Sequence, residues 1–280
     1  MEIKKLTKYA EDKLLKLGAK KFKRLMGVDK NVFDKAVDAE EKARAQRHKK
    51  GGKPNAFTCY ESVVILLLYL KRYIPMEDMA FEYEVSKSVI CTTIHQVIKD
   101  LLNNKNFTLF GADYIKYDNS EDRQIDVTEV RIERPKYNQK SKYSGKKKYH
   151  TMKIQIIRGV NTGFIYEIQI GLGAEHDFHL FKRTFTGSPE NVYFEVDLGY
   201  VGIDKIHEKC LIPTKNSKSH KLTEEEKELN KLIAADRIFI EHTNSWIKRF
   251  KILSTKFRNK LSYFAPISVL LCGFYNFDIA

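Results

Sequence analysis

The sequence is poor in the features that would tie it to a membrane or to an oxidising compartment. The longest apolar run, residues 63–68, is too short to span a bilayer. Residues 1–18 lack the apolar core and small-residue cleavage site of a signal peptide. Only four cysteines occur, and none has a close metal-binding spacing: Cys59, Cys91, Cys210 and Cys272. We therefore expect a soluble, cytoplasmic protein with reduced thiols and no membrane partner.

Acidic residues are also in short supply relative to basic ones. The chain has 280 residues, with 50 Lys and Arg against 36 Asp and Glu, which gives a net charge of +14. A protein this basic usually binds a polyanion, and nucleic acid is the commonest one. A generally Lys-rich proteome would produce the same net charge. Whether the basic residues cluster therefore decides between this explanation and nucleic-acid binding. The hydrophobic fraction of 42% excludes wholesale disorder and allows one large or two ordinary domains.

Helical periodicity dominates the first hundred residues. Apolar residues recur at helical spacing through residues 14–26 and again through residues 61–73. Between these segments, residues 44–54 (RAQRHKKGGKP) are basic and contain two adjacent glycines. We expect this segment to be a loop that touches phosphate.

A short helix, a tight turn and a capped helix are predicted after Pro75. Residues 75–81 form the short helix, and Ser86 is a good N-cap for a helix with apolar spacing through residues 89–101. This order is typical of a helix-turn-helix, whose second helix places its first turns against bases in the major groove. Because the turn lacks glycine, an ordinary helical hairpin is an equal alternative. The exposed candidates for DNA contact are Ser86, Lys87, Ser88, Thr92 and His95.

Beyond an Asn-rich segment at residues 103–120, which is a plausible linker, the periodicity becomes that of strands. Alternation predicts three strands, then a helix, a strand, a helix, a strand and a long helix. The strands are expected at residues 123–132, 149–158, 163–172, 192–196 and 209–212, and the long helix at residues 223–250. These elements predict a mixed α/β sheet. The expected organisation is an all-α domain at residues 1–118, with the helix-turn-helix at about residues 60–102, and an α/β domain at residues 119–280.

Three carboxylates lie on different predicted elements. Asp126 is inside the first strand, Asp197 ends the fourth strand, and Glu241 is in the long helix. A carboxylate buried in a strand is costly unless it is paired or binds a metal, and strand ends are where α/β sheets bind ligands. Each residue alone is more often a surface acid or a local cap. The set of three fits phosphodiester chemistry by two Mg²⁺ ions roughly 3.5–4 Å apart, with Mn²⁺ as a substitute.

The long helix adds cations to the same face. Arg237, Glu241 and Lys248 fall within about 40° of one another around the helix axis, and Asn244 follows Glu241 by one turn. Two cations beside a carboxylate can hold phosphate next to the metals. Solvated pairing on a surface helix is the alternative interpretation.

A one-sided run of positive charge separates the first two strands, with tyrosines interleaved. Such a segment can follow a DNA backbone and stack on bases, although a solvated Lys-rich loop has the same composition. Its members are Arg131, Arg134, Lys136, Lys140, Lys142, Lys146, Lys147, Lys148 and Lys153.

Several ordered motifs carry a family resemblance. They are residues 126–129 (DVTE), 132–135 (IERP), 143–153 (YSGKKKYHTMK), 197–202 (DLGYVG), and the spacing Arg237-x3-Glu241-x6-Lys248. Together, from about residue 124 to 258, they resemble the bacterial DDE insertion-sequence transposases, which are related to the eukaryotic Harbinger-type nucleases. Many relatives carry Tyr three residues before the Arg, where this chain has Ala234.

The resemblance implies a fold, an ion and the roles of particular residues. It implies a ribonuclease-H-like catalytic domain that uses Mg²⁺, with Asp126, Asp197 and Glu241 as catalytic and metal-binding residues. It also implies that Arg237 and Lys248 contact transposon-end DNA.

The pair His176 and Asp177 also matches the family, with His179 close by. These residues could position metal or DNA. A helix-capping Asp with surface histidines is the interpretation we favour.

The expected function is that of a DNA transposase. Such a protein binds terminal inverted repeats in double-stranded DNA, cuts the DNA and joins the 3′ ends to target DNA. We expect it to be associated with the nucleoid and to form a homodimer or larger assembly on DNA. The alternatives are an inactive or domesticated sequence-specific DNA-binding protein, and a nuclease without strand transfer.

Overall fold

The computed structural model describes residues 9, 11–49, 51–217 and 221–280. Helices make up the first part of the chain, as the periodicity predicts. They are α1 (Glu11–Leu15), α2 (Ala19–Met26), α3 (Lys30–His48), α4 (Cys59–Arg72), α5 (Met76–Glu82), α6 (Lys87–Leu102) and α7 (Ala112–Tyr117).

Helix α4 forms the centre of this helical part. Thr58 and Glu61 make a capping box at its start, where each side chain bonds the backbone N–H of the other residue. Every residue from Glu61 to Leu70 is buried. The helix ends at Arg72, and the next residue, Tyr73, adopts a left-handed conformation two residues before Pro75. A helix that is apolar on all sides belongs inside a core, and α4 lies there.

Two expectations for the helical part are wrong. Residues 44–48 are not loop, because α3 continues to His48 and Arg44 pairs with Glu40 one turn earlier at 2.8 Å. The Asn-rich segment is not a simple linker either. It contains a 3-10 turn at Lys105–Phe107 and helix α7, and each buries a side chain, Phe107 and Ile115 respectively.

The second part of the chain forms a mixed sheet close to the predicted one. The strands are β1 (Arg123–Arg131), β2 (Tyr143–Ser144), β3 (Tyr149–Gly159), β4 (Ile165–Leu172), β5 (Phe194–Glu195) and β6 (Cys210–Leu211). Strand β3 pairs antiparallel with both β1 and β4, whereas β5 pairs parallel with β1 and β6 parallel with β5. The order across the sheet is β4-β3-β1-β5-β6, and the short β2 pairs with the start of β3.

Helices cover both faces of this sheet. A short helix, α8 (Gln139–Lys142), precedes β2, and α9 (Asp177–Thr184) follows β4. Two 3-10 turns, Leu198–Tyr200 and Ile203–Lys205, stand between β5 and β6 in place of the predicted helix. The chain ends in α10 (Glu224–Lys248), α11 (Lys251–Ser254) and α12 (Phe264–Ile279).

Strand alternation divides the core between the two faces. On one face Val130, Ile154 and Ile156 pack in a large cluster that includes residues of α4, α6 and α12. On the other face Ile125 and Ile157 belong to a smaller cluster that includes side chains of α7 and α9. Side chains from both sides of residue 118 contribute to the large cluster, and the division into domains at that point stays a prediction.

The last helix, α12, packs in the core. Cys272 is fully buried in α12, and all four cysteines are free thiols. No helix in the described part of the chain is long and apolar enough to cross a bilayer.

Candidate active site

Strand pairing brings Asp126 and Asp197 together. The parallel register of β1 and β5 aligns Gln124 with Glu195, and Gln124 Nε2 donates to Glu195 Oε2 at 2.7 Å, so both side chains point to one face. Asp197 does not end the strand as predicted, because β5 ends at Glu195 and Asp197 is the N-cap of the 3-10 turn Leu198–Tyr200. The backbone is still extended at Asp197, so side-chain alternation places it beside Asp126 on that same face. Burial raises the pKa of Asp126 most, and the nearby charge of Asp197 raises it further.

Helix α10 lies over Asp126 and supplies two partners for its carboxylate. Arg237 Nη2 donates to Oδ1 at 3.3 Å, and Asn244 Nδ2 donates to Oδ2 at 2.7 Å. The Asp126 side chain is 17% exposed. Burial raises the pKa of Asp126, and the Arg237 guanidinium opposes that rise. Both carboxylate oxygens are therefore engaged by the protein itself.

Glu241 lies on the same face of α10, one turn from Arg237 and one turn from Asn244, and its side chain is exposed. Within the described residues, no three His, Cys, Asp or Glu side chains come close enough together to hold a metal ion. Carboxylate oxygens are the ligands that Mg²⁺ prefers, so the Asp126–Asp197 pair suits a divalent ion. In this conformation Glu241 does not complete the cluster.

A fourth carboxylate, Asp177, adjoins Asp197. A Cβ atom built on Gly199 would lie 2.8 Å from Asp197 Oδ1 and 3.4 Å from Asp177 Oδ2, so both carboxylates crowd this glycine. Asp197 Oδ1 also accepts a hydrogen bond from the Gly199 N–H at 2.8 Å. The buried Tyr200 lies close enough to Asp177, Asp126 and Asp197 for all three to raise its pKa, after burial itself.

Lys153 balances the charge of Asp177, a role the sequence did not reveal. Its Nζ donates to Asp177 Oδ1 at 2.6 Å and to the Glu175 carbonyl at 2.5 Å. The expectation that Lys153 belongs to the exposed basic run is wrong, because its position in β3 turns it toward α9. Asp177 does not cap α9, since His176 holds the N-cap position. His176 is exposed, in agreement with the interpretation of it as a surface histidine.

Positive charge gathers at the side of Asp126 where β2 and β3 turn. Lys146, Lys147 and Lys148 are exposed in that turn, and Lys148 adopts a left-handed φ of 60°. Lys248 of α10 is close enough to Lys147 for the two charges to interact. The pKa of Lys248 is lowered, first by partial desolvation and second by Lys147.

The start of α6 presents the predicted DNA-contacting side chains. Ser86 caps the helix by accepting from the Val89 N–H at 3.4 Å. Glu84 takes the left-handed conformation that a glycine would otherwise supply in the preceding turn. The four side chains at this end are all exposed, namely Ser86, Lys87, Ser88 and Thr92.

His95 differs from the prediction. The expectation that it is exposed is wrong, because its ring stacks on Tyr263 with centroids 4.0 Å apart and is half-buried. Tyr263 lies at the start of α12, so only the folded chain brings the two rings together.

Comparison with known proteins agrees with the geometry. Residues 125–276 match the family described as DDE superfamily endonuclease. A relative from Microchaete diplosiphon, named probable transposase for insertion sequence element IS702, is 35% identical over 271 residues, covering 96% of this chain and 98% of that protein. No solved structure matches the chain. The family implies a ribonuclease-H-like fold, with which three antiparallel strands followed by two parallel ones agree. As the sequence motifs predicted, the chain belongs to the DDE superfamily endonucleases.

Proposed function

We propose that this protein is an insertion-sequence transposase that cuts DNA at the ends of its element and joins the freed 3′ ends to target DNA. The observation that carries the proposal is the meeting of Asp126 in β1 and Asp197 just after the neighbouring β5, beneath the helix that bears Glu241. The relative named as a probable transposase supports it, because the similarity extends over nearly the whole of both chains.

The three carboxylates have the catalytic role in this proposal. Asp126, Asp197 and Glu241 hold Mg²⁺, or Mn²⁺ as a substitute, and Glu241 turns inward from its exposed position to do so. Bound divalent ions supply activation of the attacking hydroxyl and stabilisation of the leaving 3′ oxygen. Arg237 and Lys248 hold the DNA phosphates beside them. Asn244, which we expected on DNA, bonds Asp126, and this contact favours a role within the site.

Two further surfaces bind double-stranded DNA. The exposed lysines of the β2–β3 turn, Lys146, Lys147 and Lys148, follow the backbone toward the carboxylates. The first turn of α6 reads the terminal inverted repeats as the second helix of a helix-turn-helix, through Ser86, Lys87, Ser88 and Thr92. Two ends have to be held together for transposition, so the protein acts as a dimer or larger assembly on nucleoid DNA.

One observation favours a second candidate, a protein that binds DNA without cutting it. Both oxygens of Asp126 are taken by Arg237 and Asn244, and the described residues contain no three-ligand metal cluster. A domesticated DNA-binding protein would tolerate this arrangement permanently, whereas a transposase must rearrange it.

Purified protein and a supercoiled plasmid carrying the element's ends test the proposal. In Mg²⁺ or Mn²⁺, a transposase produces both cut ends and products joined to a second plasmid. Cutting without joining would identify a nuclease that lacks strand transfer. Tight binding to the ends without cutting would identify the DNA-binding protein.

A further inference from the structure

The two partners of Asp126 are chemically different. Arg237 brings a full positive charge to Oδ1, whereas Asn244 brings a neutral amide to Oδ2. Both come from α10, and Glu241 lies between them on the same helix face. Because Asp126 is largely buried beside Asp197, an uncompensated negative charge there would be costly. The Arg237 guanidinium therefore compensates the negative charge of Asp126 when no metal ion is bound, as a bound cation would.

Each partner also leaves one polar atom unsatisfied. Arg237 Nη1 and Asn244 Oδ1 are buried, and neither finds a hydrogen-bond partner within the described residues. A buried donor or acceptor without a partner destabilises a protein. The arrangement around Asp126 is therefore incomplete as it stands, and a ligand at the site would complete it.

From this asymmetry we infer that Arg237 and Asn244 have opposite effects on divalent-ion binding. Arg237 competes with the ion for Asp126 and gives up the carboxylate when the ion binds. Asn244 is a positioning residue that keeps its bond to Oδ2 and orients Asp126 toward Asp197. The inference rests on the proposed function, since it assumes that Asp126 is a metal ligand.

The chemistry of the two side chains supports this division. A guanidinium has only donors and carries the same sign of charge as the ion, so it cannot share the site with the ion. An amide N–H can go on donating to one oxygen while the other oxygen coordinates, as partners of metal ligands commonly do. Once released, the planar Arg237 fork suits a DNA phosphate. Ion binding and phosphate binding then favour each other.

Mn²⁺ binding to the full-length protein without DNA tests the inference. Calorimetry and the electron paramagnetic resonance signal of free Mn²⁺ both report affinity independently of activity. We expect Arg237→Gln to bind Mn²⁺ on the order of tenfold more tightly than the wild type, because it removes a charge in contact with Asp126. We expect Asn244→Ala to bind about 10- to 100-fold more weakly. Lys248→Gln is the matched control, since it removes one charge from the same helix face without bonding Asp126.

If Arg237→Gln binds Mn²⁺ no more tightly than Lys248→Gln does, Arg237 does not compete with the ion for Asp126. An unchanged affinity in Asn244→Ala would overturn the positioning role. Thermal unfolding of each variant, with Asn244→Ser as a second substitution, separates loss of binding from loss of fold. Asp126→Asn distinguishes failure of the proposed metal site from failure of the inference about Arg237 and Asn244. If it binds Mn²⁺ as the wild type does, the proposed metal site itself is wrong; if it alone loses binding, only the inference fails.

Discussion

Glu40 is a single buried residue of the helical part whose carboxyl group has a raised pKa. Its side chain is 1% exposed and pairs with Arg44 at 2.8 Å. Asp100 lies nearby and pairs with Arg47. Burial, and then the neighbouring Asp100, raise the pKa of Glu40 to about 7.

The pH dependence of stability should therefore contain a contribution from Glu40. The folded protein binds a proton here that the unfolded chain releases near the ordinary value of 4.5, so stability falls as pH rises from there through about 7. The slope is at most about 1.4 kcal/mol per pH unit for one proton. Urea unfolding at about pH 5 and about pH 8 should show Glu40→Gln losing less stability than the wild type. The exposed Glu41→Gln should follow the wild type, and parallel curves for Glu40→Gln would contradict the assignment.

Lys153 is the second test at this scale. Replacing it with Met leaves Asp177 and the Glu175 carbonyl without their donor. We expect a loss of about 1.5–3 kcal/mol in the free energy of unfolding, as for hydrogen bonds to charged groups. Lys182→Met, at an exposed position of α9, should change little. A double-mutant cycle with Asp177→Asn should give a coupling energy clearly different from zero, and additive effects would contradict the pairing.

At the scale of elements, α10 positions most of the candidate site. Thr223 caps it, and Glu226 completes the capping box over an acidic first turn. These local signals made the helix predictable, and the spacing of Arg237, Glu241 and Lys248 predicted that the three side chains share one face of it. That Arg237 and Asn244 bond Asp126 was not predictable, because the contact depends on how α10 packs on β1.

The errors in the sequence prediction also arise from tertiary packing. Arg44 looked like part of a basic loop, but it lies in α3 and donates to the Phe57 carbonyl and the Ser62 hydroxyl, which are remote in sequence. His95 looked exposed, but Tyr263 of a distant segment covers it. Lys153 looked like part of a DNA-binding surface, but the sheet register turns it inward toward α9. In each case a partner remote in sequence or a strand register decided the outcome, and neither can be read from local periodicity.

Two isoleucines of α10 provide a matched test of its packing. Ile240 is fully buried and Ile238 is 48% exposed, although they are two residues apart on the same helix. Ile240→Ala should lower the free energy of unfolding by about 2–5 kcal/mol, since it leaves a cavity. Ile238→Ala should stay within about 0.5 kcal/mol. Equal losses in chemical denaturation would mean that α10 does not pack as described.

Over the whole molecule, the positive charges that give the net charge of +14 include a cluster on one side. Lys146, Lys147 and Lys148 lie exposed in one turn, and Lys248 joins them beside Asp126. If the protein binds DNA as proposed, such a concentration of charge should attract DNA to the face that carries Asp126 and make binding depend on salt.

Replacing the three lysines of the β2–β3 turn with Gln tests this account of the charge. Each lost phosphate contact lowers the slope of log affinity against log salt by about 0.9, so the triple variant should lose roughly 2–3 in slope. Fluorescence anisotropy with a duplex at several salt concentrations measures it. The control removes the same charge from exposed Lys16, in the turn after α1, and from exposed Lys20 and Lys21 of α2. Equal slopes for the two triple variants would show that charge total, rather than the turn, governs binding.

If Asp126, Asp197 and Glu241 act together on DNA as proposed, variants of these carboxylates should fail to cleave it. We would measure cutting of end-bearing DNA in Mn²⁺ by the wild type, Asp126→Asn and Glu241→Gln, with exposed Glu225→Gln of the same helix as the control. We expect losses of about 10³-fold or more in both site variants, with DNA binding retained and Glu225→Gln unchanged. Cutting by Glu241→Gln at the rate of the Glu225→Gln control would contradict it.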